Sequence, residues 1–346
     1  MKTIALGLVL IGLALSASTA RVEAEPKRIR IQSSFNLNAP ILGETLTEFR
    51  DRMRANGPEP LAWHAYGAGK LVPPLRVFDA VSSGKVEAGF SASVYWMGKL
   101  PAATVFSAIP FGPDADAYLG WLYYGGGLEI WRDIYAPYDV VPLPCGISVP
   151  EASGWFRFPV ESNEDLEGLK IRFAGLGGEV LKRLGASITM LPSIDLFTSL
   201  ERGVIDATEF SVPSVDQALG FYKVANHYYF PGWHQPASIL ELSFHRPVWE
   251  SFTDSERAAI KNTCEAMASW TLARSYSTQA DSLAFFREQG VEIHSWSPEQ
   301  LAQFRQVADQ VFRELSAADP DFKRAYESLT AFRARNAPWS DIAFPE

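Results

Sequence analysis

Cysteine is scarce: Cys145 and Cys264 are the only two in 346 residues, and they form no CxxC pair. A zinc or iron–sulfur cage built on thiolates is therefore excluded. Histidine is scarce too. His64, His227, His234, His245 and His294 include no HExxH pair, and no GxSxG elbow is present. Most of these histidines read as surface or hydrogen-bonded structural residues. Catalysis is disfavoured, although triads assembled in space leave no such trace in sequence. No long basic run occurs, and 31 Lys+Arg stand against 40 Asp+Glu, a net charge of −9. That balance is poor for nucleic acid or an anionic membrane surface. Aromatics, by contrast, are abundant, at 13% with 10 Trp, more than a compact core of this size requires. With 47% hydrophobic and 21% charged residues the chain is globular, and its length suffices for two lobes.

The start of the chain carries a processing pattern. Met1-Lys2 is followed by an apolar run from Ile4 to Leu15, then Ser16-Ala17-Ser18-Thr19-Ala20, with Val22-Glu23-Ala24 as a second cleavage option. This is the layout of a secretory signal, and the run is too short for a bilayer of about 30 Å. Cleavage after Ala24 removes Lys2, Arg21 and Glu23, which shifts the net charge from −9 to −10. An exported, soluble protein in an oxidising compartment is the expectation. Whether Cys145 and Cys264 pair there is left open, because sequence does not give their separation in space.

Downstream, short strands alternate with helices. Strands are expected at Ile29–Ser33, Ala62–Tyr66 and Val86–Phe90, with helices at Ile41–Met53 and through Leu75, Phe78 and Val81. This β-α-β-α-β run favours a mostly parallel sheet covered by helices. A second alternation places strands at Trp155–Arg157, Lys170–Phe173, Ile188–Leu191 and Ile205–Phe210, and helices at Leu176–Leu184 and Ile194–Arg202. From Thr253 onward the chain reads as helical.

Few residues carry chemistry. Gly175-Leu176-Gly177-Gly178 sits where a dinucleotide fingerprint would, but Val180 occupies the third glycine position, so a structural turn is the better reading. The helix start there still favours an anion. Arg172 lies in an otherwise apolar strand; its fork suits a bidentate carboxylate guest, or equally an internal acid such as Asp206 or exposure to water at a strand edge. Glu209 ends an apolar strand, and Glu151 follows Val149-Pro150 near the crossing into the second lobe. With an amide oxygen such as that of Gln235, these carboxylates suit a hard cation. Most aromatics in Val94-Tyr95-Trp96, Trp121-Leu122-Tyr123-Tyr124 and Tyr228–Trp233 are explained by core packing, the rest by an aromatic-lined cleft.

Taken together, Ala65-Tyr66-Gly67-Ala68-Gly69, Gly154-Trp155-Phe156-Arg157, Asp206-Ala207-Thr208-Glu209, Leu219–Ala225 and Tyr228–Trp233 give the chain a familiar pattern. It resembles the periplasmic solute-binding proteins of TRAP (tripartite ATP-independent periplasmic) transporters, in the branch that binds 2-oxo acids such as pyruvate, or lactate, with a metal ion. The resemblance implies an α/β, two-lobed binding protein with mixed, mostly parallel sheets, a hinge and long C-terminal helices. On this reading residues 1–24 are the signal and 25–148 the first part of lobe I. Residues 149–232 are the main part of lobe II, 233–252 return to lobe I and the hinge, and 253–346 form helices packing on both lobes.

The resemblance further implies that Arg172 pairs with the ligand carboxylate. Glu151, Glu209 and Gln235 would surround the cation, with the Phe210 carbonyl as fourth protein ligand, and Tyr95 would donate to the solute. The branch implies Gln where Glu151 stands, Glu where Gln235 stands and Trp where Phe210 stands. The first two departures exchange places and keep two carboxylates, a total of −2 that suits Ca²⁺ or Na⁺. A membrane permease partner, a periplasmic location and a homodimer through the C-terminal helix are also implied. An exported α/β hydrolase or an ABC-type receptor are the alternatives.

Overall fold

The computed structural model describes residues 27–58 and 61–343, so the expected signal, residues 1–24, lies outside the described residues. The first part of the chain forms β1 (Lys27–Ser33), α1 (Leu42–Asn56), β2 (Leu61–Tyr66), α2 (Val77–Ser82), β3 (Ala88–Ser91), α3 (Ala115–Tyr124), α4 (Gly127–Tyr135) and β4 (Val140–Ser148). The middle part forms β5 (Gly154–Phe156), β6 (Lys170–Arg172), α5 (Gly175–Arg183), β7 (Ser187–Thr189), α6 (Ser193–Glu201), β8 (Ala207–Thr208), α7 (Pro213–Leu219), β9 (His227–Phe230) and β10 (Ser238–His245). The last part forms α8 (Arg246–Glu250), α9 (Asp254–Glu288), β11 (Glu292–Ser295), α10 (Pro298–Ala318) and α11 (Pro320–Ala343).

Two mixed sheets result. The first has the order β2-β1-β3-β10-β4 and the second β11-β9-β5-β8-β6-β7. In the first, β1 pairs in parallel with β2 and β3, as the N-terminal alternation leads one to expect, whereas β10 runs antiparallel to β3 and β4. The alternation missed β4 and β10, the two longest buried strands. Pro142 and Pro144 hide β4, because proline reads as a strand breaker. They are tolerated because β4 is an edge strand of this sheet, where a missing N–H costs no ladder bond. The tail is not wholly helical either. Glu292–Ser295 adds a parallel strand beside β9, too short to leave a periodic signal.

Helix α9 runs for 35 residues from a reciprocal cap, in which the Thr253 N–H donates to Glu256 Oε2 and the Glu256 N–H to Thr253 Oγ1. Its buried stripe, Ile260, Cys264, Met267, Thr271 and Ser275, recurs at helical spacing. Cys264 on that stripe is disulfide-bonded to Cys145 on β4, closing a loop with a sequence separation of 119.

The aromatic excess goes mainly into core. Phe106 stacks between Trp121 and Trp131 at 5.5 and 5.2 Å, and Trp155 stacks on Tyr228 at 4.0 Å. Among the described residues no helix is long and apolar enough to cross a membrane.

Candidate functional site

Two chain crossings between the sheets lie side by side. One runs from β4 to β5 and carries Glu151; the other runs from β9 to β10 and carries His234 and Gln235. The Glu151 N–H donates to the Gln235 carbonyl at 3.2 Å. Gly232 allows that approach, since a Cβ there would lie 2.0 Å from the Glu151 carbonyl oxygen. The same packing economy appears at Gly154, φ 130°, where a Cβ would meet the Thr208 carbonyl at 2.6 Å.

From the second sheet come Arg172, at the end of β6, and Glu209, just past β8. Parallel pairing sets Arg172 opposite Thr208, so the acid one residue on reaches the guanidinium. Strand β8 is shorter than the expected Ile205–Phe210 because its later backbone groups are used by the site. The Glu209 carbonyl accepts from Arg172 Nη1, and the Ser211 carbonyl from the Ala152 N–H. From the first sheet, the turn after β3 contributes Val94 and Tyr95.

These residues line a narrow cavity of about 20 Å³, bordered also by Phe35, Leu42, Phe210 and Leu240. Arg172, Glu151, Tyr95, Phe210, Glu209 and Gln235, the residues singled out from sequence, all border it. Its charged groups are dry: Arg172 and Glu209 are 1% exposed and Glu151 4%.

Of the counterparts that the sequence left open for the guanidinium, the structure shows an internal acid: Arg172 Nη1 donates to Glu209 Oε2 at 2.7 Å. Asp206, the internal acid considered from sequence, does not pair with it and caps the start of β6, accepting from the Lys170 N–H. The anion at the start of α5 is likewise internal, because the Ala174 N–H donates to Glu209 Oε2 at 3.2 Å. Arg172 Nε is directed at the Leu191 carbonyl, 3.3 Å away, and its guanidinium carbon lies 5.3 Å from the Phe210 ring centre.

Electrostatics separate the two glutamates. Burial pushes Glu209 up most strongly, but the charge of Arg172, together with His234 and the Ala174 N–H, holds the carboxylate below its usual range. Burial and then the neighbouring Glu209 and Asp216 push Glu151 well above that range. Glu151 Oε2 is buried without a hydrogen-bond partner among the described residues. With both glutamates ionised, two negative charges face the one positive charge of Arg172. An orphaned carboxylate oxygen beside a second carboxylate, with the Gln235 amide and the Phe210 residue also lining the cavity, offers oxygen donors that fit a hard cation.

Sequence reasoning passed over two members. His234 is 1% exposed, not a surface residue, and neither ring nitrogen has a hydrogen-bond partner among the described residues. Its Nε2 stands 3.7 Å from Glu209 Oε1, too long for a hydrogen bond. Adjacency to Gln235 was the only available signal. Asp216, on α7, accepts from Trp155 Nε1 at 3.0 Å and Tyr228 Oη at 2.9 Å, and burial pushes its carboxyl up to about 7. Nothing in its local sequence marked it.

Known proteins resemble this arrangement over most of its length. Residues 36–319 match the family described as bacterial extracellular solute-binding protein, family 7. A monocarboxylate 2-oxoacid-binding periplasmic protein of Nostoc sp. is 36% identical over 278 residues, 80% of this chain and 76% of that protein. A TRAP transporter solute-binding protein from Bordetella bronchiseptica, a mixed-occupancy dimer with calcium and picolinate bound in one active site, superposes with a TM-score of 0.89. It is 31% identical and covers 92% of this chain and 95% of its own. A TRAP periplasmic solute-binding protein from Pseudoalteromonas atlantica, with bound sodium and pyruvate, gives a TM-score of 0.87 at 31% identity, over 92% of this chain and 97% of its own.

Proposed function

The chain belongs to bacterial extracellular solute-binding protein family 7, and on that premise we propose that it captures a small monocarboxylate, a 2-oxo acid such as pyruvate or the related lactate, for a TRAP membrane permease. It works in the periplasm and releases its solute unchanged. The observation that carries this reading is the dry cavity in which Arg172, Glu151 and Glu209 converge.

Arg172 meets the solute carboxylate through Nη2, its Nη1 and Nε being held by Glu209 and the Leu191 carbonyl. Glu209 therefore fixes the guanidinium. The Tyr95 hydroxyl donates to the solute, and Phe35, Leu42 and Leu240 exclude water from its carbon end.

A cation would be held by Glu151, Glu209, the Gln235 amide oxygen and the Phe210 carbonyl, and it would supply positive charge to the solute oxygens. A bound cation would keep Glu151 ionised against its burial, and two ionised glutamates, one arginine and an anionic guest then sum to −2. Calcium cancels that sum and sodium halves it, so calcium is the better match, although a relative holds sodium. Arg172→Ala should weaken binding by several kcal/mol, about 3, because it removes a charged partner in a dry cleft. Titration calorimetry with pyruvate, lactate and longer 2-oxo acids measures it, and unchanged affinity for all of them removes Arg172 from the site. Chelation with EGTA in sodium-free buffer should weaken binding, with calcium restoring it better than sodium. Equal affinity throughout excludes the cation. Mass spectrometry of the incubated acid tests the hydrolase alternative, since a receptor returns it intact.

A homodimer fits the exposed end of α11, where Trp339 and Ile342 are 65% and 79% exposed. One relative is a dimer. The rest of that helix packs on its own chain through Phe322, Ala325 and Leu329.

A further inference from the structure

Away from the cavity, the outer strands of the second sheet bring two imidazoles and a carboxylate together. Parallel pairing of β9 with β11 sets His227 opposite Glu292 and Tyr229 opposite His294. Residues two apart on a strand share a face, so His227, Glu292 and His294 project on one side. His227 Nδ1 and His294 Nε2 are 3.0 Å apart. Glu292 Oε2 lies 3.7 Å from the first and 3.8 Å from the second. The rings are not free to wander: that of His294 stacks on Tyr229 at 4.6 Å with 16° between planes. Tyr229 is in turn held by its hydroxyl, which accepts from the Val160 N–H at 2.7 Å.

We infer that His227 Nδ1, His294 Nε2 and Glu292 Oε2 form a second metal site, specific for a borderline divalent cation such as Zn²⁺. Bonds of about 2.0–2.1 Å in a tetrahedron place ligand atoms roughly 3.3–3.4 Å apart. The distances of 3.0, 3.7 and 3.8 Å bracket that edge, so the metal enters with small side-chain shifts. Two nitrogens and one carboxylate favour zinc over the hard cations that an all-oxygen set selects. For zinc to bind both ring nitrogens, the ring that donates in the His227–His294 hydrogen bond carries its proton on its other nitrogen instead. Its fourth position faces solvent, since Glu292 is 64% exposed at the side chain. The site ties β11, the short strand between α9 and α10, to β9, whose far end leads into the cavity through His234 and Gln235. Metal binding thus braces the outer edge of the sheet that carries the solute site.

The test uses the untagged full chain, stripped of metal, titrated with Zn²⁺ and with Co²⁺. One equivalent of zinc should remain bound in a Glu209→Gln background, which separates this site from the cavity. Cobalt should give visible bands of low-symmetry tetrahedral coordination. His227→Asn combined with His294→Asn should weaken zinc binding by at least about a hundredfold. Glu292→Gln, at an exposed position that leaves folding intact, should weaken it by about tenfold. Zinc should raise the melting temperature of the wild-type chain and not that of the histidine variant. Failure to bind one equivalent at micromolar zinc, octahedral cobalt spectra, or unchanged affinity in Glu292→Gln would each overturn the site.

Discussion

At the residue scale the decisive pair is Arg172 with Glu209. A buried guanidinium and carboxylate in contact stabilise little as a pair, but losing one partner leaves the other stranded. Glu209→Gln should therefore lower folding stability by about 3 kcal/mol, read by urea denaturation. A change within experimental error would mean that the pair is not dry. Arg172 was visible in the sequence because a charge interrupts an apolar strand. Its partner was not, since reach across two parallel strands depends on their register. Glu241 adds a second residue-scale expectation. Its Oε2 accepts from Ser93 Oγ at 2.7 Å and Tyr135 Oη at 3.0 Å, and burial pushes its pKa up to about 7. The folded chain thus keeps a proton that the unfolded chain loses near 4.5. This contribution is full below that value and is lost as pH rises through about 7. Glu241→Gln should flatten the decline, by up to about 1.4 kcal/mol per pH unit, in denaturation curves between pH 5 and 8. Parallel curves for both proteins would refute a neutral Glu241.

At the scale of elements, helices and short parallel strands were legible because apolar spacing and glycine stops mark them. Strand β4 was not, for its prolines argue against a strand unless the strand is known to lie at an edge. Nor could spacing say that this edge meets α9, the contact that closes the Cys145–Cys264 bond. Closing a loop of that length restricts the unfolded chain, by about 4–5 kcal/mol on the entropy account. Replacing both cysteines by serine should lower the melting temperature by several degrees. An unchanged transition in calorimetry would show that α9 holds β4 without the bond.

For the whole molecule the cavity is walled by both sheets, and Arg172, Glu209, Glu151 and Gln235 are at most 6% exposed. A solute enters only if the walls separate, so binding favours the closed arrangement, in which both sheets touch it. Small-angle scattering should show the radius of gyration falling when pyruvate and calcium are added to stripped protein. Identical curves would exclude such closure.

Composition, periodicity and a handful of local motifs were enough to determine an α/β chain with an export pattern, an acidic surface and a set of oxygen-rich candidate residues. These properties are local, written by side chains that act within a few positions of one another. Three matters were decided only by folding: the acid that holds Arg172, the burial of His234 and Asp216, and the meeting of His227 with His294 across two strands. Each depends on strand register and on chain segments distant in sequence, and the energetic cost of a charge is set by the water that those segments remove.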